Sequence, residues 1–274
     1  MSDPVAEKRA RFRALHRRGI PLLIPNPWDV GSSRILQGLG FEALASTSAG
    51  MAFTMGECEG AISRDAALDH CRMLVGATPL PVSADLEKGF ADTPDGVAET
   101  VRLAGGIGLA GCSIEDHTGD PDDPIFDEGL AVERIAAAVE AAHAVSPDFI
   151  LTARCESLLW GGRDLDKVIR RLQAFEAAGA DVVYAPGLRD LASIHLVCRS
   201  VSVPVNVVMG MPGAVFTLAQ LAEAGVARIS VGSAFARLVY GGLVRAAREV
   251  REQGLFTFAA DAMDFASLER FFRR

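Results

Sequence analysis

FILTARCESLLWGGRDLDKVIRRLQAFEAAGADVVYAPG, residues 149–187, spells a strand, a helix and a second strand in turn. The apolar run 149–156 ends in polar residues. An amphipathic helical pattern follows over 166–178. It closes at Gly179, a residue suited to the left-handed position just past a helix end. A second apolar run, 181–186, comes next. Neither run alternates cleanly, which suits parallel strands buried on both faces.

Outward from this unit the same grammar recurs. Strands are expected at 22–27, 43–48, 81–87, 111–116, 149–156, 181–186, 204–209 and 228–233. Between them, 133–144 is rich in alanine and strongly helix-forming, and 218–224 ends at Gly225. Eight strand-then-helix units predict an α/β fold of the (β/α)₈ TIM-type barrel class. An open doubly wound sheet normally carries a Gly-rich phosphate loop after its first strand. Here that strand runs into Asn26, Pro27, Trp28 and Asp29. The reading is a single domain over 1–274, with a barrel core at 19–252. An extra helix at 6–18 precedes the core, and a helical tail at 253–274 follows it. The tail carries Phe256, Phe258, Phe265, Phe271 and Phe272. So many aromatics are not expected to face water. Either they pack across the barrel bottom or they dock on a neighbouring subunit.

The 274 residues are half hydrophobic, enough for a large core. Lys and Arg number 27 against 35 Asp and Glu, a net charge of −8. This argues against nucleic acid as a partner, since phosphate binding needs clustered cations. A small anionic substrate still fits, because a cleft can be locally positive. The five cysteines are scattered with no CxxC pair, which disfavours a zinc knuckle. No signal-like or membrane-spanning run is evident. The expectation is a cytoplasmic enzyme with reduced thiols and no membrane partner.

Barrel enzymes work at the C-terminal ends of their strands, and here those ends are acidic. Strand three ends with Asp85 and Glu87, strand four with Glu115 and Asp116, strand five with Arg154 and Glu156. Glu57 and Glu59 follow strand two. Spaced i, i+2, Asp85 and Glu87 are expected on one side of their strand. With Glu115 they would repel one another unless a hard divalent cation such as Mg²⁺ intervened. Asp116 reads instead as a cap or as the partner of an exposed base. Arg154 needs an anion in its apolar surroundings. That anion is a substrate carboxylate or phosphonate, or else Glu156 on the same strand. The small residues Thr47, Ser48, Ala49 and Gly50 could let backbone N–H groups approach an anion.

Together the segments NPWDVGSSRILQGLGFEALASTSAG (26–50), ADLEKGF (84–90), GLAGCSIED (108–116), LTARCE (151–156) and AFEAAGADVVYAPGL (174–188) resemble the isocitrate lyase/phosphoenolpyruvate mutase superfamily. The resemblance runs from about residue 25 to the C-terminus. It implies that Asp85, Glu87, Glu115 and Glu59 hold Mg²⁺, with Mn²⁺ as a substitute, several of them through water. Glu87 and Glu59 stand where the family has aspartates. It implies that Arg154 binds substrate and that Thr47, Ser48 and Ala49 contact its oxyanion or carboxylate. It also implies a last helix exchanged between subunits, giving a homodimer or homotetramer, and so turns the aromatic tail toward a neighbouring subunit.

The departures are specific. The family's gating loop carries a catalytic Cys and Lys, or a Lys and Asn in the mutases. Here the loop reads His117-Thr118-Gly119-Asp120-Pro121-Asp122-Asp123-Pro124. The mutase histidine after strand six is replaced by Tyr184-Ala185-Pro186. Cys112 lies within strand four and reads as a small buried hydrophobe. His117 is a candidate general acid, its pKa expected to rise beside Glu115 and Asp116; the alternative is a solvated loop histidine. Asn206, polar in an apolar strand, is a candidate substrate contact. Trp28 and Trp160 read as rim packing. The expected function is a Mg²⁺-dependent lyase of a small 2-oxo or 2-hydroxy acid, acting through an enolate. The alternatives are P–C bond chemistry on a phosphonate and a 2-oxo acid binding protein without turnover.

Overall fold

The computed structural model describes residues 3–213 and 215–273. Eight parallel strands form one sheet: β1 (Leu22–Ile24), β2 (Leu44–Ala45), β3 (Val82–Asp85), β4 (Gly111–Glu115), β5 (Ile150–Arg154), β6 (Val182–Tyr184), β7 (Val205–Val208) and β8 (Arg228–Ser230). The helices are α1 (Pro4–Leu15), α2 (Val30–Gly38), α3 (Ser48–Met55), α4 (Arg64–Ala77), α5 (Pro94–Gly106), α6 (Glu128–Val145), α7 (Leu165–Ala177), α8 (Leu191–Ser200), α9 (Leu218–Glu223), α10 (Ala234–Gln253) and α11 (Phe265–Arg270). All eight expected strands are present, in the order of a nearly closed TIM-type barrel. Each stops short of its expected end, because the residues there leave the ladder to build the βα loops.

Those loops carry their own helix starts. Thr47, Thr93, Asp127, Asp164 and Asp190 each accept a backbone N–H in the first turn of the helix that follows. A cap of this kind contributes about 1 kcal/mol.

The ladder lacks paired residues only between β1 and β2. There Ala45 N donates to Pro25 O at 3.1 Å. Asn26 spans the same seam: its Nδ2 donates to Ser46 O, and its Oδ1 accepts from Val231 N and Gly232 N. One buried amide thus ties the ends of β1, β2 and β8 where strand pairing fails.

The bottom of the barrel is filled by α1. Phe12 is fully buried against Leu22, Ala43, Ala110, Ile150 and Val182. Arg9 holds the helix in place by donating to Leu109 O and Gly105 O. The tail therefore does not pack there, as one reading of its aromatics expected. Phe256 and Phe265 stay 65% and 87% exposed. Phe271 lies on α2, where a Cβ at Gly38 would meet its ring at 2.6 Å. Only Ala236 is buried along the 20 residues of α10, while Leu238, Val239, Leu243 and Val244 are exposed. Among the described residues no helix is long and apolar enough to cross a membrane.

Candidate active site

The acids gather at the C-terminal mouth of the barrel around Arg154, the last residue of β5. Its Nη1 lies 3.4 Å from Glu115 Oε2 and 3.5 Å from Asp85 Oδ2, and its Nε donates to Glu156 Oε1. The ring of Tyr184 lies under the guanidinium, 5.3 Å from centroid to Cζ. Arg154 is thus paired with Glu156, one of the two readings of it, and it also reaches Asp85 and Glu115.

Asp85 is held from the β2 side. Its N–H donates to Ser46 Oγ, and Ser48 N points at Oδ2 from 3.4 Å. Ser48 Oγ lies 3.1 Å from Asp85 Oδ2 and 2.9 Å from Glu59 Oε1. One hydroxyl proton cannot serve both acids; Asp85 Oδ2 also faces Ser48 N and Arg154 Nη1, which leaves the hydroxyl free to donate to Glu59. Ser48 opens α3 and Thr47 caps it, so the Thr47–Ala49 segment sits at a helix start beside the acids.

Glu87 arrives by a different route from the one its spacing suggested. β3 ends at Asp85, and Glu87 has φ 50°, in the left-handed region. Asp85 Oδ1 accepts the Glu87 N–H at 3.3 Å. A turn, not the strand pleat, brings the carboxyl back toward the cluster. Burial, then the charges of Asp85 and Glu59, push its pKa up to about 7, against the opposing pull of Arg154 and Lys88. Its Oε1 is buried with no partner. Burial likewise raises Glu115 well above the usual carboxylate range. Arg154 opposes this, but its single charge is shared with Asp85 and Glu156.

Asp116 turns away from the cluster. It accepts from Glu156 N at 2.7 Å and pairs with Arg171 at 2.9 Å. It is a structural partner, as expected, but its base is buried rather than exposed. Lys88, adjacent to Glu87, extends to Asp92 and Thr118 O, and so braces the loop rather than neutralising the acids.

His117 is not a solvated loop residue. It pairs with Ile125 in an antiparallel bridge and stacks on Trp160, centroids 4.3 Å apart and 13° from parallel. Nδ1 lies 3.9 Å from Glu115 Oε1, and Nε2 is buried without a partner. Its pKa moves down, opposite to expectation. Burial is the largest cause; Lys88 and Arg154 add to it and Asp116 opposes it. Trp160 is thus a rim residue, with its packing face on this histidine. Cys112 is fully buried, as its position in β4 implied.

Beneath the mouth lies a cavity of about 50 Å³, lined in part by Asp85, Arg154, Tyr184, Asn206 and Arg228. Asn206 is buried; its Nδ2 donates to Ser230 Oγ and its Oδ1 has no partner. Arg228 went unread in the sequence. An arginine opening the strand RIS is a weaker form of the signal that Arg154 gives in FILTARCE.

The donor set fits a hard divalent ion by its chemistry. It is all oxygen, one buried carboxylate oxygen is unpaired, and three carboxylates share the one guanidinium of Arg154, with Glu87 and Glu59 close by. Among the described residues no three acid, histidine or cysteine side chains form a ready cage. Mg²⁺ suits such an open set, because it keeps several waters and takes one or two carboxylates directly.

The family described as Phosphoenolpyruvate phosphomutase matches residues 12–251. A crystal structure from Burkholderia cenocepacia J2315, provisionally assigned as a lyase/mutase, is 53% identical, with TM-score 0.96 over 100% of this chain and 98% of that one. The crystal structure of 2,3-dimethylmalate lyase, a PEP mutase/isocitrate lyase superfamily member, is 25% identical, with TM-score 0.84 over 99% and 95%. The 2-methylisocitrate lyase of Escherichia coli (strain K12) is 31% identical over 226 residues, 79% of this chain and 75% of that protein. The chain belongs to the phosphoenolpyruvate phosphomutase family, within the isocitrate lyase/phosphoenolpyruvate mutase superfamily of lyases and mutases.

Proposed function

We propose that this chain is a Mg²⁺-dependent lyase that cleaves a carbon–carbon bond in a small 2-oxo or 2-hydroxy carboxylic acid. The observation that carries the reading is the set of acids around Arg154, too negative to be balanced from within. Asp85, Glu87, Glu115 and Glu59 would hold the Mg²⁺, several through water, and the bound ion would supply Lewis-acid polarisation of a 2-oxo group and its neighbouring carboxylate.

The protein's own groups do the rest. Arg154 accepts a substrate carboxylate in place of one of its acid partners, a charge-assisted contact in a site with little water. The N–H groups of Ser48 and Ala49, at the start of α3, would stabilise the oxygen that becomes negative as the bond breaks, Ser48 N–H leaving Asp85 Oδ2 to do so. His117 is uncharged at neutral pH and donates from whichever ring nitrogen bears the proton. Its stack with Trp160 helps keep water from the mouth. A second copy of the chain covers the apolar face of α10, giving a homo-oligomer.

The test is NMR of the Mg²⁺-loaded protein with oxaloacetate, isocitrate, methylisocitrate, related malate derivatives and phosphonopyruvate. One carboxylic acid should give product, and EDTA should abolish it. Product from phosphonopyruvate alone, or saturable binding with no turnover of any compound, overturns the lyase reading.

A further inference from the structure

The interior of a TIM-type barrel is usually filled by bulky branched apolar side chains. At the level of β8 this one is filled by an arginine. Arg228 is 4% exposed and lines the cavity beneath Arg154. Its one hydrogen bond among the described residues is from Nη1 to Thr152 Oγ1, at 3.0 Å. Its Nε is buried with no partner, and it forms no ion pair among the described residues. A guanidinium has five N–H donors, and an isolated buried charge is costly. The Ser83 hydroxyl on the same cavity is also buried and unpaired, and it can donate; the unpaired Asn206 Oδ1 beside it can only accept. Burial also pushes the Arg228 pKa down to about 10, against the opposing pull of Tyr184, Asp85 and Cys112.

We infer that Arg228, with the Ser83 hydroxyl beside it, forms a floor subsite for one small carboxylate-sized anion. The cavity of about 50 Å³ admits a group of that size and little more. Its mouth is lined by Asp85 and Arg154, so the anion reaches Arg228 past the acid cluster. Arg228 is therefore a specificity residue: it favours an acid that carries a second negative group over one that carries a single group. The source of the anion rests on the proposed lyase reading, under which it is part of the substrate; a free monocarboxylate is the other source.

The test uses the full chain with Mg²⁺ and three probes: sodium formate, pyruvate and oxaloacetate. Dissociation constants come from ligand-observed NMR on the wild type, Arg228→Met and Arg228→Lys. Arg228→Met should weaken oxaloacetate by about ten- to hundredfold, the scale of a lost charge-assisted hydrogen bond. Pyruvate should stay within about twofold, and Arg228→Lys should recover part of the loss. Formate that binds the wild type but not Arg228→Met, with neither oxo acid bound by either, keeps the floor subsite and sinks the lyase reading instead. Equal binding of all three probes by wild type and Arg228→Met overturns the subsite. So does an equal loss of pyruvate and oxaloacetate.

Thermal unfolding without ligand gives an independent check. Replacing an uncompensated buried charge with a similar apolar volume should leave the melting temperature unchanged or raise it. A fall of more than about 5 °C would mark Arg228 as a structural contact and overturn the inference.

Discussion

At the mouth of the barrel, Asp85, Glu115 and Glu156 contact the guanidinium of Arg154, with Glu87 and Glu59 close by, while at the floor Arg228 forms no ion pair among the described residues. Stability alone would favour bringing the spare acid and the spare base together. Keeping them apart leaves two opposite deficits on one cavity, negative above and positive below. Such unpaired charge is retained where a ligand completes it. A complement with a cation at the mouth and an anion at the floor satisfies both ends.

Four substitutions at the mouth can break or sharpen this contrast. The largest effect is expected from Arg154→Met. It strips the acids of their one permanent counter-charge and should lower kcat/KM by about 10²–10³-fold, the cost of truncating a buried charge pair. A loss under about threefold would mean that Arg154 serves only Glu156. Glu115→Gln should follow, reducing Mg²⁺ affinity and turnover together by about 10–100-fold. Metal titration by calorimetry alongside kinetics checks this, and a fall in one without the other separates the acid from the metal.

Glu87→Gln should show in the pH dependence of stability. The folded-state pKa of Glu87 is raised from 4.5 to about 7. Below about pH 4.5 the group is protonated in both folded and unfolded chains and costs nothing. Between there and about pH 7 the unfolded chain ionises first, so this group's contribution falls as pH rises. In the metal-free protein, Glu87→Gln should therefore unfold at a higher temperature than wild type at pH 8 and at a similar one at pH 4.5. Saturating Mg²⁺ should narrow the gap. The smallest effect is expected from Trp160→Ala. It removes the stack on His117 and should cost activity about three- to tenfold, with Mg²⁺ affinity unchanged.

The barrel was readable because its parallel strands are short apolar runs and its helices begin and end on capping residues. The site was readable where a charge sits at a strand end, as Asp85, Glu115 and Arg154 do. Less was visible where placement depends on distant partners. Glu87 reaches the mouth through a positive-φ turn that strand alternation does not encode. The pKa of His117 moves down because burial, Lys88 and Arg154 outweigh the adjacent Asp116. Phe12 looks like any apolar residue of an amphipathic helix until five strands are seen converging on it. Arg228 lacks the long apolar context that made Arg154 conspicuous.

Because Phe12 closes the bottom of the barrel, the cavity is a dead end. A reaction that splits one acid into two must return both fragments by the path the substrate took. Under the proposed reaction, a fragment seated on Arg228 could not pass the one above it and would leave last. Release is then strictly ordered, and the deeper fragment, rebinding to the empty enzyme, should inhibit competitively against the substrate.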